Sequence, residues 1–185
     1  MIAKTAVLSA IVALSTAYPL FKQCDSRWGS NQIGTSSKTI CQVGCLMSSM
    51  SMVLNDCHKT LDGGAAANPG TFNTWLKGHG GYVSGNLYVW GAVQPLGLSF
   101  VGFSSSDADI KSHFDQGHAV ILNVNKGGHY VLMTGHSASG YSVNDPGFTK
   151  SSYTNAEVVE AGIYKRPSGC STAQLATVEE PYDLE

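Results

Sequence analysis

The cysteine count is the feature that most constrains how this chain folds. Its five cysteines are Cys24, Cys41, Cys45, Cys57 and Cys170. Because thiols pair in twos, four of them can form disulfides that tie distant segments together, and one thiol is left over. The sequence does not determine which four pair. Their placement in predicted loops favours Cys24 with Cys41 and Cys57 with Cys170, while a Cys41–Cys45 bond stays open as an alternative.

The N-terminus has the pattern of a secretory signal peptide. A short positive leader, residues 1–4, precedes an apolar run over residues 5–14, and small residues follow at positions 15–17. This order predicts cleavage before Tyr18, so that residues 1–17 are removed. The apolar run is too short to span a bilayer, although an uncleaved anchor is the alternative. We therefore expect a secreted or lumenal protein, with no membrane contact after cleavage.

The rest of the chain has the size and charge of one globular domain. Eleven Lys and Arg residues stand against thirteen Asp and Glu residues, a formal net charge of -2. This balance excludes a nucleic-acid binder that relies on bulk positive charge. The length fits a single domain, which we place at residues 18–167. Residues 168–185 form an acidic C-terminal tail, which we expect to be frayed apart from Cys170.

Apolar periodicity predicts helices first and a sheet second. Leu46, Met50, Val53 and Leu54 share one face of a predicted buried amphipathic helix that begins at Cys45. Further helices are predicted at residues 71–77 and 107–116, and strands at residues 119–124, 129–134, 141–144 and 162–165. This order indicates an α+β domain rather than alternating βαβ units.

Cys45 has a position that suits a nucleophile. The free amides and the macrodipole at a helix N-terminus stabilise an anion, so a thiol placed there favours its reactive thiolate form. The ordinary alternatives are that Cys45 packs under its helix or pairs with Cys41.

Two residues on the predicted strands form a candidate base and its partner. His129 begins one strand and Asp145 follows the next, sixteen positions apart across a turn centred near residue 137. In an antiparallel pair the start of one strand lies beside the end of the next, so we expect the two side chains to be neighbours. A carboxylate fixes the tautomer of a histidine and stabilises its charged form, which gives an oriented base. Each residue alone also has an ordinary explanation, His129 as a strand residue and Asp145 as a turn former before Pro146.

Four segments carry a family resemblance. They read QCDSRWG at residues 23–29, GC at 44–45, GHYV at 128–131 and VNDP at 143–146. From about residue 23 to residue 165, the chain resembles the C39-like cysteine peptidases. The resemblance implies a papain-like α+β fold, in which a helix that bears the nucleophile packs on an antiparallel β-sheet.

The resemblance also implies roles for particular residues. Cys45 becomes the nucleophile, His129 the general base and then the acid, and Asp145 the residue that orients His129. Papain-like enzymes use a glutamine amide near the developing oxyanion, and we favour Gln23 for this role, with Gln42 as the alternative.

One segment departs from the family pattern. Many relatives follow the nucleophile with Gly or Ala and then Pro, whereas this chain has Leu46 and Met47. We expect the bulkier pair to narrow the cleft.

The implied function is that of a secreted cysteine peptidase or amidase. It would hydrolyse peptide or amide bonds in a peptide or protein substrate through a thioester intermediate, without a cofactor or metal. The alternative is a non-catalytic secreted binding or structural module on the same fold. A zinc site is a further competitor, although its candidate ligands lack the tight Cys-x-x-Cys spacing: Cys41, Cys45, Cys57, His58, His129 and His136. The substrate, the cleavage preference and the oligomeric state stay open.

Overall fold

The computed structural model describes residues 18–171. The predicted signal peptide lies outside the described residues, and so does the predicted tail from residue 172 onward. The predicted domain at residues 18–167 lies entirely within the described residues.

Four α-helices are present in this part, and the second carries Cys45. They are α1 (Ile40–Val43), α2 (Cys45–Asp56), α3 (Pro69–Gly78) and α4 (Asp107–Asp115). The predicted helix at Cys45 is present, but it is buried on more sides than an amphipathic pattern implies, since every residue from Met47 to Leu54 is buried. Three of these are serines, whose small side chains fit inside the core, and the Ser51 hydroxyl donates to the Ser48 carbonyl at 2.7 Å.

The other two long helices lie close to their predicted positions. Helix α3 begins two residues earlier than predicted because Asn68 caps it, accepting hydrogen bonds from the N–H groups of Gly70 and Thr71. Pro69 is tolerated there, since the first position of a helix needs no N–H partner. Helix α4 is capped by Ser106 and ends one residue before the predicted end.

The strands form a two-stranded hairpin and a six-stranded antiparallel sheet. The hairpin is β1 (Tyr82–Val83) and β2 (Leu87–Tyr88). The large sheet has the order β3-β8-β4-β5-β6-β7. Its strands are β3 (Ser99–Ser104), β4 (Ala119–Val124), β5 (His129–His136), β6 (Gly140–Asn144), β7 (Ser152–Thr154) and β8 (Glu160–Lys165).

Helices cover both faces of this sheet. On one face, α2 packs on the sheet and α3 packs against α2, and Met50, Phe72, Ile121 and Leu132 belong to one buried cluster. On the other face, Ile110 of α4 packs with a second set of strand residues, among them Val120, Val131 and Tyr141. The central strand β4 is buried at every position because it has helices on both sides. The predicted fold class is confirmed: the domain is α+β, and the helix that begins at Cys45 packs on an antiparallel sheet.

Two disulfides tie loops to this core. Cys24 is bonded to Cys41 and Cys57 to Cys170, which is the favoured pairing. The alternative Cys41–Cys45 bond is wrong, and Cys45 is the free thiol.

Within residues 18–171, no helix is long and apolar enough to cross a membrane.

Candidate active site

Cys45 is held at the first position of α2 by the short helix before it. Helix α1 has a capping box between Thr39 and Gln42, and Gly44 joins it directly to α2. A Cβ atom at Gly44 would lie only 2.5 Å from the carbonyl oxygen of Ile40, so glycine is what lets the two helices abut. The Cys45 side chain is half-buried and opens onto a pocket of about 170 Å³.

His129 and Asp145 are in contact, as the spacing predicts. The imidazole Nε2 donates to the Asp145 carboxylate oxygen Oδ1 at 2.7 Å. The strand register differs from the prediction. A turn centred near residue 137 would place a residue nearer to His129 opposite Asn144, whereas Leu132 lies there. The pairing also shifts between Met133 and Gly135. The contact forms because Asp145 lies one residue beyond the end of β6, where its side chain can reach back to the start of β5.

The Asp145 carboxylate is buried and fully hydrogen-bonded. Its oxygen Oδ1 also accepts from the N–H groups of Gly147 at 2.8 Å and Phe148 at 2.9 Å, and its oxygen Oδ2 accepts from the Tyr153 hydroxyl at 2.8 Å. Burial acts to raise the pKa of Asp145, but the hydrogen bonds from His129, the two amides and Tyr153 outweigh it and lower the pKa. The carboxylate is therefore ionised at neutral pH.

His129 lies between this carboxylate and the Cys45 side chain. Burial opposes its charged form, but hydrogen bonds to Asp145 and Cys45, together with their charges, raise the pKa of His129 to about 9. Because Nε2 is bonded to Asp145, Nδ1 is the nitrogen that remains for the thiol. The Phe148 ring lies edge-on to the imidazole, with 5.0 Å between the ring centres.

Gln23 lies beside the imidazole, whereas Gln42 does not. The Gln23 side chain is buried, its backbone N–H donates to the Pro146 carbonyl at 2.9 Å and its Nε2 donates to the Cys41 carbonyl at 2.7 Å. A Cβ atom at Gly147 would lie 3.4 Å from both Gln23 Oε1 and His129 Nε2, which locates the amide next to the imidazole. Gln42 is exposed, and its Oε1 accepts from the Thr39 N–H at 3.0 Å as part of the helix cap.

Sequence reasoning missed three residues that support this arrangement. Lys22 donates to the main-chain carbonyls of Asp145, at 2.6 Å, and Phe148. Gly147 leaves room for the imidazole, since a Cβ there would lie 2.8 Å from His129 Cε1. Tyr153 lies in β7, which was not predicted. Lys22 could have been found from its place next to Gln23, but nothing in the sequence pattern indicates Tyr153.

The pocket beside Cys45 is lined mainly by apolar side chains. Its walls come from the segment before α1, the end of α1, the start of α2, the hairpin and the turn that leads into β5: Ile33, Val43, Leu46, Met47, Tyr82, Asn86, Leu87, Tyr88, Gly127, Gly128 and Tyr130. Leu46 and Met47 both belong to this wall, so the two residues that depart from the family pattern help to bound the pocket.

No metal site is present among the described residues. Nowhere in residues 18–171 do three His, Cys, Asp or Glu side chains group so that they could hold a metal ion. Cys41 and Cys57, two of the candidate zinc ligands, are in disulfides.

Comparison with known proteins agrees with the resemblance seen in the sequence. The model of the Peptidase_C39 like family matches residues 16–172. A Bacillus anthracis protein assigned to the C39-like peptidases has a crystal structure that is 16% identical in sequence and gives a TM-score of 0.47, over 83% of this chain and 96% of that one. No curated protein matches the sequence. Because the family match spans most of its length, the chain belongs to the Peptidase_C39 like family, which supports a papain-like peptidase at the family level.

Proposed function

We propose that this protein is a cysteine peptidase or amidase that hydrolyses peptide or amide bonds through Cys45, His129 and Asp145. One observation carries the proposal: His129 is hydrogen-bonded to Asp145 at 2.7 Å and lies close enough to Cys45, the free thiol, for that group to raise its pKa. A nucleophile, a base and a group that orients the base are the parts that covalent acyl transfer needs.

The reaction proceeds in two halves. The Cys45 thiolate attacks the substrate carbonyl carbon, and His129 donates its Nδ1 proton to the nitrogen of the leaving amine as the carbon–nitrogen bond breaks. This leaves a thioester on Cys45 and a neutral imidazole. Water then attacks the thioester while His129 accepts its proton, the acid is released, and the thiolate–imidazolium pair is restored.

Gln23 supplies a donor for the oxyanion in this proposal. An amide nitrogen carries two N–H groups, and the Cys41 carbonyl accepts only one of those of Gln23. The second N–H, together with the backbone N–H of Cys45, would bind the negative oxygen of the tetrahedral intermediate. The exposed, helix-capping position of Gln42 supports Gln23 over Gln42.

We propose an extracytoplasmic location and peptide or protein substrates. Two disulfides support this location, because such bonds persist in oxidising compartments. The predicted signal peptide at residues 1–17 agrees with it. The proposed chemistry uses no cofactor and no nucleic acid.

Incubation with a mixture of unrelated peptides, read by mass spectrometry, tests the proposal. We expect new peptide termini with the unsubstituted protein and a loss of about 1,000-fold or more with Cys45→Ala. A primary amine added to the reaction distinguishes hydrolysis from transfer, since an acyl transferase would give amine adducts instead of free acids. If no peptide is cleaved or transferred and no acyl group is trapped on Cys45, the enzyme proposal fails and a binding module on this fold replaces it.

A further inference from the structure

We propose that Tyr153 is a positioning residue of the site: its hydroxyl holds the Asp145 carboxylate in the orientation that presents Oδ1 to His129. This inference rests on the proposed function, because the orientation matters for chemistry only if His129 acts as base and acid. It adds to that proposal a residue from β7, at the edge of the sheet.

The two carboxylate oxygens of Asp145 have different partners. Oδ1 accepts from His129 and from two backbone N–H groups, whereas among the described residues Oδ2 accepts from Tyr153. The side chain of Asp145 is fully buried, with an exposed fraction of 0%. A buried carboxylate oxygen without a donor is costly, so removal of the hydroxyl favours rotation or protonation of the carboxyl group.

The sheet fixes the position of the hydroxyl. Strand β7 pairs with β6, with Tyr153 opposite Tyr141, and both rings are buried in the core on the α4 side of the sheet. Tyr153 is 3% exposed, so packing leaves its ring little freedom. Strand β7 is only three residues long, and its buried residue is the one that reaches Asp145.

The charged groups around this pair are few. Asp145 faces His129 from β5 and Tyr153 from β7, and the Lys22 ammonium contacts its main-chain carbonyl from the N-terminal segment. On the other side, Lys150 lies 4.0 Å above the Tyr153 ring, and the Glu157 carboxylate acts on Tyr153 through its charge.

The Tyr153 hydroxyl keeps its proton. Burial, followed by the hydrogen bond to the Asp145 carboxylate, raises the pKa of Tyr153 well above its ordinary value. The hydroxyl is therefore a donor throughout the pH range in which His129 titrates.

Titration of His129 tests the inference in the full-length protein without the need for a substrate. The probe is the ¹³Cε1 resonance of labelled histidine, assigned by its absence in His129→Ala. In the unsubstituted protein we expect the pKa of His129 to be about 9. Tyr153→Phe, which keeps the buried ring, should lower this pKa by about one unit, since a charge-assisted hydrogen bond no longer holds the carboxylate in place. The alkaline limb of kcat/KM should move down by the same amount, with kcat reduced about tenfold and KM little changed.

Tyr141→Phe is the matched control. Tyr141 is buried and lies opposite Tyr153, and its hydroxyl also donates to a carboxylate, that of Asp107, outside the site. We expect it to leave the pKa of His129 unchanged, while the two variants have similar melting temperatures. Incorporation of 3-fluorotyrosine at position 153 keeps the hydroxyl and should leave the titration close to that of the unsubstituted protein.

A double-variant cycle completes the test. Asp145→Asn should lower the pKa of His129, and adding Tyr153→Phe to it should change nothing more, because the hydroxyl acts through the carboxylate.

An unchanged or raised pKa of His129 in Tyr153→Phe, or an equal shift in Tyr141→Phe, would overturn the inference while leaving the proposed function intact. Absence of peptide cleavage, of acyl transfer and of an acyl group trapped on Cys45 in the unsubstituted protein would instead refute the proposed function, and the titration would still decide whether Tyr153 orients Asp145.

Discussion

At the scale of single residues, one ring nitrogen of His129 is hydrogen-bonded to Asp145, and the other is available for proton transfer. Its Nε2 bonds to Asp145, and that carboxylate is itself held by two backbone N–H groups and a tyrosine hydroxyl. A carboxylate fixed in this way cannot easily turn to another partner, so the imidazole keeps one orientation. Nδ1 can then exchange a proton with the thiol or with a leaving group.

The raised pKa of His129 predicts how hydrolysis depends on pH. The proposed acid role of His129 needs the imidazolium form, which is present below a pKa of about 9 and is lost as the pH rises through it. We expect kcat/KM for peptide hydrolysis to fall above about pH 9, while alkylation of Cys45 by iodoacetamide, which needs only the thiolate, does not fall. Parallel pH profiles of the two reactions check this. A hydrolysis rate that holds constant to pH 10.5 would contradict it.

Two glutamines provide a matched pair of substitutions for the oxyanion role. Gln23→Ala should lower kcat by about 100-fold, because one preorganised donor to the oxyanion is lost. Gln42→Ala removes an exposed cap of α1 and should leave kcat unchanged within error. Steady-state kinetics on a cleaved peptide measure both. The assignment would be reversed if Gln42→Ala caused the larger loss.

At the scale of the elements, helix α2 and the central strands could be predicted, and the edge strands could not. The apolar spacing after Cys45 marks a helix, and the β-branched run at residues 119–124 marks a buried strand. Strand β3 could not be predicted because it contains two serines and a glycine and exposes its apolar residues Val101 and Phe103. Strand β7 has three residues, too few to show the alternation of apolar and polar residues that marks a strand.

In the candidate site too, local sequence patterns predict some residues and not others. Cys45, His129 and Asp145 are predicted from a helix start and from the spacing across one turn. The predicted contact between His129 and Asp145 is present even though the predicted strand register is wrong. That error arose because the turn is centred between residues 138 and 139, where His136 lies opposite Tyr141, rather than near residue 137. Tyr153 could not be predicted, because its contact with Asp145 depends on a strand pairing that local patterns do not encode.

The two disulfides should have separable effects. Cys57–Cys170 closes 113 residues and Cys24–Cys41 closes 17 residues. In the chain-entropy account, the first contributes about 5 kcal/mol to the free energy of unfolding and the second about 3 kcal/mol. The shorter bond joins the residue after Gln23 to the helix before Cys45, so its loss should affect activity more.

Paired serine substitutions measure these effects. Replacement of Cys57 and Cys170 should reduce the urea midpoint more, and replacement of Cys24 and Cys41 should reduce kcat more. Equal loss of kcat in the two variants at a temperature where both are folded would contradict the idea that the shorter bond positions Gln23.

At the scale of the whole molecule, a buried ion pair joins the end of α2 to the segment after β8. Arg166 Nη1 lies 3.1 Å from Asp56 Oδ2, and the two side chains are 8% and 6% exposed. The guanidinium also donates to the Gly117 carbonyl at 2.7 Å. Burial, opposed by the Arg166 charge, raises the pKa of Asp56, so this carboxylate depends on its partner.

Arg166→Met should therefore destabilise the protein strongly. It leaves the Asp56 carboxyl buried without its partner, which costs about 3–5 kcal/mol in the free energy of unfolding. Lys150→Met is the comparison, since it breaks an ion pair with Glu157 in which both side chains are 43% exposed. Its cost should be below about 1 kcal/mol. Urea unfolding of both variants measures the difference, and similar costs would refute the role of the buried pair.

The most direct test of the central claim is alkylation by iodoacetamide without a reductant, followed by mass spectrometry. Four cysteines are in disulfides, so the intact protein should gain one label, and peptide mapping should locate it at Cys45. At pH 6 an ordinary thiol is less than about 1% ionised, so rapid labelling there indicates a thiolate stabilised by its surroundings. We predict rapid labelling that slows at least about tenfold in His129→Ala but not in His136→Ala, whose imidazole pairs with Asp115 outside the site. An inert or disulfide-bonded Cys45, or equal rates with and without His129, would contradict the account.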